Sequence, residues 1–166
     1  MSTAAQWRQT FDAWAAQDPT VASTGAPSSA AELAAVGDLL ADWLQLDGTQ
    51  RVLDVGCASG LLTATWAHRA GSVVGIDRSL PLLRQGALHQ SDVLRPLCTD
   101  ATALPFANGS FDRVCCFGVL LCLPDHAHAD RAVDEGRDQE RVDAALDERD
   151  VVRAHLDVEA VGLLLV

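Results

Sequence analysis

Two groups of residues in this chain have the types and spacing to do chemistry. One is the run Arg51-Val52-Leu53-Asp54-Val55-Gly56-Cys57-Ala58-Ser59-Gly60, and the other is Gly75-Ile76-Asp77 a little further on. A loop without bulky side chains lets the backbone come close to a ligand, and the helix start that follows it offers unpaired N–H groups. An acid at the end of the next strand suits a vicinal diol. In a parallel α/β sheet these parts lie at the carboxyl edge of adjacent strands, where such sheets bind nucleotide-like ligands. A dinucleotide fingerprint, G-x-G-x-x-G, is not met, because Ala58 and Leu61 stand where it needs glycines.

The surrounding sequence supplies elements to hold these parts. Residues 5–16 carry Trp7, Phe11 and Trp14 on one helical face, which suits either packing on the domain or a lid over a ligand. Residues 20–28 are small and contain Gly and Pro, a connector. Ser29 with Glu32 makes a capping box opening a helix whose expected inner stripe is Leu33, Val36, Leu39, Leu40, Trp43 and Leu44. Strands are expected over 52–55, 73–76, 94–99 and 111–119, with helices over 61–70 and from Ser79 to about 89 and a turn at 107–110. Such alternation specifies an α/β fold with a doubly wound, mainly parallel, Rossmann-like sheet. The chain divides into an N-terminal helix and connector (1–28), the sheet domain (29–125) and an acidic, helical tail (126–166) with a final strand over 160–166.

Composition narrows the function classes. At 166 residues the chain has the size of one domain, and hydrophobic residues make up 49% of it. Its apolar runs are too short to cross a bilayer, and the N-terminus lacks the positive and apolar regions of a secretory signal, so no membrane partner and a cytoplasmic location are expected. A net charge of −11 with no lysine argues against a nucleic-acid surface, which draws affinity from clustered cations on phosphates. Cys57, Cys98, Cys115, Cys116 and Cys122 have no metal-ligand spacing and read as buried, reduced thiols, so no metal site is expected. The scarcity of Lys, Tyr, Ile, Asn and Met points to a GC-rich gene.

With these residues in view, the Asp54 to Gly60 loop resembles the D-x-G-x-G-x-G loop of the class I S-adenosylmethionine-dependent methyltransferases, with Ala58 at the middle glycine. The resemblance continues in order. Asp77 matches the acid that accepts both ribose hydroxyls, and Asp100-Ala101 matches the pair that meets the adenine edge. Leu104-Pro105-Phe106 and Gly109-Ser110-Phe111-Asp112 match signatures of the small-molecule branch that includes quinone-biosynthesis enzymes. The resemblance implies methyl transfer from S-adenosylmethionine to a small-molecule acceptor. The implied cofactor-binding set is Asp54, Gly56, Cys57, Ala58, Gly60, Asp77, Arg78, Asp100, Ala101 and Phe117, with Phe106 and Gly118 as weaker candidates. Methyl transfer from a sulfonium needs little acid–base machinery, so no catalytic residue is assigned; Asp125, His126 and His128 lie where the family's substrate-facing loop begins, and solvated loop residues are the plainer reading.

After Asp125 the resemblance stops. Residues 126–166 hold five Arg against seven Asp and four Glu, a balance of −6 within the total of −11, without aromatic residues, Pro or Cys. Two accounts fit. One is a divergent helix and last strand, giving a sheet without its final two strands and with an exposed edge suited to homodimerisation. The other is an out-of-frame reading of a GC-rich gene, leaving a truncated methyltransferase or an S-adenosylmethionine-binding fragment without activity.

Overall fold

The computed structural model describes residues 28–85 and 91–119, positions 9–10, 13–14 and 16–17, and the backbone of 163–165. A helix α1 (Ala30–Trp43) precedes the strand β1 (Arg51–Val55), the helix α2 (Leu61–Trp66) and a 3₁₀ turn at Ala67–Arg69. Then come β2 (Ser72–Asp77), α3 (Leu80–Gln85), β3 (Leu94–Cys98), β4 (Arg113–Phe117) and β5 (Leu163–Leu165). The sheet order is β3-β2-β1-β4-β5, with the first four strands parallel and β5 antiparallel to β4. The expected parallel α/β sheet is present, and the expected last strand is present over three residues.

The inner parallel strands β1, β2 and β4 are buried on both faces, while the edge strand β3 is exposed over much of its length. On one face, Val52, Val73, Leu94 and Cys115 meet Leu33, Leu40, Ala41 and Leu44 of α1, Leu62 and Trp66 of α2, and Leu83 of α3. On the other, Leu53, Val55, Ile76, Val114 and Cys116 meet Phe111, with Ala101, Leu104 and Phe106 packed alongside. The segment after β3 therefore covers the face opposite the three described helices. Within it the Phe106 and Phe111 rings meet edge to face, 5.0 Å between centroids, which makes Phe106 a wall of the core.

Capping and turns follow the sequence closely. Glu32 N–H donates to Ser29 Oγ at 3.3 Å and Ser29 N–H to Glu32 Oε2 at 2.7 Å, the reciprocal capping box. Ser110 N–H closes the 107–110 turn on Ala107 O at 3.2 Å. The inner face of α1 is corrected: it runs through Leu33, Gly37, Leu40, Ala41 and Leu44, while Leu39 and Trp43 are each 53% exposed. The reason is steric. A Cβ on Gly37 would lie 1.9 Å from Thr65 Oγ1 and 2.8 Å from Thr65 Cβ, so α2 approaches α1 where α1 carries its smallest residue.

Other expectations shift at their ends. The helix expected over 61–70 tightens into a 3₁₀ turn after Trp66. Cys57, Cys115 and Cys116 are buried as expected, but Cys98, at the end of the edge strand β3, is exposed. Trp7, Phe11, Leu88, Cys122 and nearly all of the tail lie outside the described residues.

The β3 edge is closed to further pairing. Val73 N–H donates to Val93 O at 2.8 Å and Thr99 N–H to Asp77 O at 3.1 Å, so Leu94, Pro96 and Cys98 turn their backbone outward. Pro96 has no N–H to offer there, a feature that discourages edge-to-edge association.

The α1–α2 contact yields a test. Gly37→Ala gains roughly 1 kcal/mol of helix propensity but overpacks the contact with Thr65, at about 1–3 kcal/mol. A net loss of about 1 kcal/mol is expected as a lower urea midpoint with unchanged slope.

Candidate functional site

Because β1 to β4 run parallel, their carboxyl ends share one edge of the sheet. The structure brings Asp54 and the Gly56 to Gly60 loop, Asp77-Arg78 and Asp100-Ala101 to the ends of β1, β2 and β3, with Phe117 at the end of β4.

The loop is built by the end of β2. Gly56 N–H and Cys57 N–H both donate to Ile76 O, at 2.8 and 3.0 Å, and Ala58 N–H donates to Asp77 Oδ2 at 3.0 Å. Gly60 N–H turns back to Cys57 O at 2.8 Å. The amides at these four positions are spent on holding the loop to β2 and to itself. Gly56 has φ +74°, and a Cβ there would sit 2.0 Å from Val119 Cγ2, so no other residue fits. Ala58 adopts φ +51°, a left-handed conformation that costs a residue with a Cβ roughly 1–2 kcal/mol. Cys57 faces inward: its side chain occupies the room left by Gly75, where a Cβ would lie 2.9 Å from Cys57 Sγ. Burial pushes its thiol pKa up, far from any thiolate role.

The two acids differ in surroundings. Asp54 is buried beneath α2, where Thr63 Oγ1 donates to its Oδ2 at 2.5 Å. It stands beside Cys115 in the β1–β4 register, and the Cys115 thiol lies in hydrogen-bonding reach. Burial pushes its carboxyl pKa up to about 6, with the bonds from Thr63 and Cys115 holding it down and the charge of Asp77 adding to the rise. Asp77 sits at the mouth. Its Oδ1 accepts from Ser79 N–H at 2.7 Å and its Oδ2 from Ala58 N–H. Burial raises its pKa too, opposed by those two amides and by Arg78. A carboxylate has about four acceptor positions, so the three backbone bonds, from Ser79, Ala58 and Arg78, leave room for a further donor.

Asp100 forms a turn in which Thr102 N–H and Thr102 Oγ1 donate to Oδ1 at 2.9 and 2.8 Å. Arg78 Nη2 reaches its Oδ2 at 3.7 Å, linking the ends of β2 and β3. Both side chains are nearly half exposed, so the pair is worth about 0–1 kcal/mol. Ala101 and Phe117 are partly buried against opposite faces of the sheet. Gly118 has φ +72°, and among the described residues nothing lies within 4 Å of where a Cβ would stand. Asp125, His126 and His128 lie outside the described residues.

Two contributors escaped the sequence reading. Thr63 and Cys115 show a signal only in retrospect: Asp54, two residues beyond Val52, shares its face of the strand and so points under α2, whose first turn carries Thr63. Trp14 was noted as one residue of an apolar face, and its partners are now visible: it packs against Ala58 of the loop and Leu82 of α3. The Asp112 signature, by contrast, stands at the far end of the sheet. Its carboxylate accepts from Arg51 N–H at 2.9 Å, Nε at 3.1 Å and Nη2 at 3.1 Å, clamping the start of β1.

Comparison with known proteins agrees with this geometry. The family described as a methyltransferase domain matches residues 53–135, half of the chain. The ubiquinone biosynthesis O-methyltransferase of Ralstonia nicotianae is 34% identical over 105 residues, covering 58% of this chain and 44% of that protein. Among solved structures, the [4+2]-cyclase SpnF aligns with a TM-score of 0.65 at 25% identity, over 80% of this chain and 55% of that one. The N-methyltransferase NodS of Bradyrhizobium japonicum, in complex with S-adenosyl-l-homocysteine, shares the fold with a TM-score of 0.61 at 19% identity, over 76% and 64%. The chain belongs to the class I S-adenosylmethionine-dependent methyltransferase family. It spans about half the length of the curated relatives it matches.

Two measurements test the site's construction. Ala58→Gly removes about 1–2 kcal/mol of left-handed strain but gives up a buried methyl group worth roughly 0.8 kcal/mol and adds about 0.4–1 kcal/mol of unfolded-chain entropy, so stability in denaturant titrations is expected to stay within about 0.5 kcal/mol of the native chain. Asp54 binds a proton more tightly folded than unfolded. Its contribution is therefore fully present below the ordinary 3.8 and is lost as pH rises through about 6. Relative to Asp54→Asn, the native chain is expected to lose about 3 kcal/mol between pH 3.8 and 7. A difference between the two that stays flat across this range would contradict the burial argument.

Proposed function

We propose that this chain binds S-adenosylmethionine across the ends of β1, β2 and β3 and supports methyl transfer to a small-molecule acceptor of the quinone-precursor type. The observation that carries the reading is Asp77: a carboxylate at the end of β2, aimed by the amides of Ser79 and Ala58 and keeping acceptor capacity for a further donor. The residues present fit the cofactor. Asp77 suits the ribose diol, and Asp100 and Ala101 suit the adenine edge. Bound there, the cofactor would supply an electrophilic methyl group on a sulfonium.

The protein's part is to bind, orient and exclude water, since displacement at a methyl carbon is accelerated chiefly by near-attack placement. Gly56 and Gly60 set the loop's path, Arg78 steadies Asp100, and Asp54 braces the loop from below through Thr63. Cys57 and Ala58 contribute backbone, and Phe117 the end of β4. A general base would be needed only for a hydroxyl or enol acceptor.

The quinone-precursor acceptor is supported by the name of the Ralstonia nicotianae relative. A cytoplasmic setting without nucleic acid is supported by the net charge of −11 and by the finding that, among the described residues, no helix is long and apolar enough to cross a membrane. With the β3 edge blocked by Pro96, a homodimer joined at the β5 side is the assembly we propose; a monomeric mass by light scattering would remove it. The division at residues 28 and 125 is likewise proposed.

Isothermal titration with S-adenosylmethionine and S-adenosylhomocysteine tests the site. The native chain is expected to bind both. Asp77→Asn, which keeps the side chain's shape, is expected to bind at least about tenfold more weakly, because one acceptor oxygen becomes a donor. Equal affinity for the two chains would rule out Asp77 as the diol acceptor. Binding without turnover on any quinone precursor would favour a donor-binding fragment over a complete enzyme, a reading supported by the chain's half-length match to its relatives.

A further inference from the structure

Two carboxylates share one face of the sheet. Asp54 stands opposite Gly75 and Cys115 in the register of β1 with its neighbours, and Asp77 lies two residues beyond Gly75. Register partners and alternate residues share a face, so the two acids lie under the same helix layer, one strand across and two residues along, roughly 8 Å between Cα atoms. Among the described residues, no cation offsets Asp54. It meets the Thr63 hydroxyl from α2, which itself carries no charged residue, the Cys115 thiol from β4, and the charge of Asp77 from β2. Burial keeps the Cys57 and Cys115 thiols neutral. Arg78 acts on Asp77, and its guanidinium reaches Asp100 at the end of β3. The end of β1 therefore carries uncompensated negative charge whenever Asp54 is ionised, and burial leaves little water there to screen it.

Resting on the donor-site reading above, we propose that Asp54 is a charge-selecting residue: its carboxylate favours cationic S-adenosylmethionine over S-adenosylhomocysteine, which lacks the sulfonium charge, and its protonation removes the preference. Adenine at β3 and ribose at β2 leave the rest of the ligand to the end of β1, where Asp54 lies beneath the loop. The two ligands differ there by one methyl group and one positive charge. In surroundings of low dielectric a buried carboxylate acts on that charge through space, without touching it. Burial pushes the Asp54 carboxyl up to about 6, and a cation favours the ionised form, so donor binding expels a proton and the preference grows as pH rises through that value. Desolvation of Asp54 by the bound ligand is common to both and leaves the ratio of affinities unchanged.

The test measures the affinities of both ligands by titration calorimetry at about pH 5.5 and about pH 7, below the range in which their amino groups titrate. Titrations near pH 6 in two buffers of different ionisation enthalpy count the protons released. The native chain's preference for S-adenosylmethionine is expected to rise about threefold between the two pH values, with roughly 0.4 proton more released by it than by S-adenosylhomocysteine. Both differences are expected to vanish in Asp54→Asn. Thr63→Val, which removes a bond that holds the carboxyl down, is expected to move the rise to higher pH, and it decides the matter if unliganded unfolding shows that Asp54→Asn does not fold. A ratio of affinities that is the same at both pH values in the native chain would overturn the proposal and leave the donor site in place. So would a pH-dependent ratio that persists in Asp54→Asn, which would assign the linkage to Asp77, or one that stays unmoved in Thr63→Val. No binding of either ligand by the native chain would remove the donor-site reading and this proposal together.

Discussion

Three consecutive amides, those of Gly56, Cys57 and Ala58, are held by the last two residues of β2, and the shape of the site depends on that attachment. A loop leaving a buried strand must satisfy its backbone groups, and here it does so on the neighbouring strand. The cost is that these amides are not left for a ligand. The gain is that loop and acid are built as one object: Ala58 N–H both positions Asp77 and is positioned by it. The absence of a side chain at Gly75 belongs to the same construction, because Cys57 fills that space and anchors the loop in the core.

Two acids of the same type serve different ends because their surroundings differ. Asp54 lies in the layer between sheet and helix, bonded to Thr63 and beside Cys115, and there a carboxyl group joins β1, α2 and β4. Its hydroxyl partner offsets part of the desolvation that would otherwise make a buried carboxylate untenable. Asp77, one strand over, is braced by amides and stays at the mouth. Both were assigned to the cofactor on resemblance; in the fold Asp54 is enclosed under α2, while Asp77 stands at the strand end braced by the amides of the loop and of Ser79.

The sheet was legible because each strand is an apolar run bounded by turn residues, and the glycine loop and strand-end acid mark where the edge must be. What escaped notice involves small residues and distance. A periodic stripe weighted toward large side chains included Leu39 and Trp43, yet α1 turns Gly37 and Ala41 inward because close helix approach rewards small volume. Pro96 was read as part of a strand, and its significance as an edge blocker needed the register with β2. Trp14 could be placed on a helix face from spacing alone, but its contact with Ala58 joins residues far apart in the chain, where local pattern carries no information.

Asp112 shows why a family signature and a ligand site are separate matters. It lies in the Gly-Ser-Phe-Asp run that helped to identify the family, yet it grips the Arg51 amide and guanidinium at the amino end of β1, across the sheet from the site. Its own N–H returns a bond to Arg51 O at 2.8 Å. β1 is the strand between β2 and β4, so fixing its start fixes the register in which Asp54 meets Cys115. That register decides which face Asp54 turns to, since a slip of one residue would move it to the opposite side of the sheet. The signature thus acts on the site through strand register: Asp112 holds β1, β1 aims Asp54 at Thr63, and α2 is seated where the loop must end.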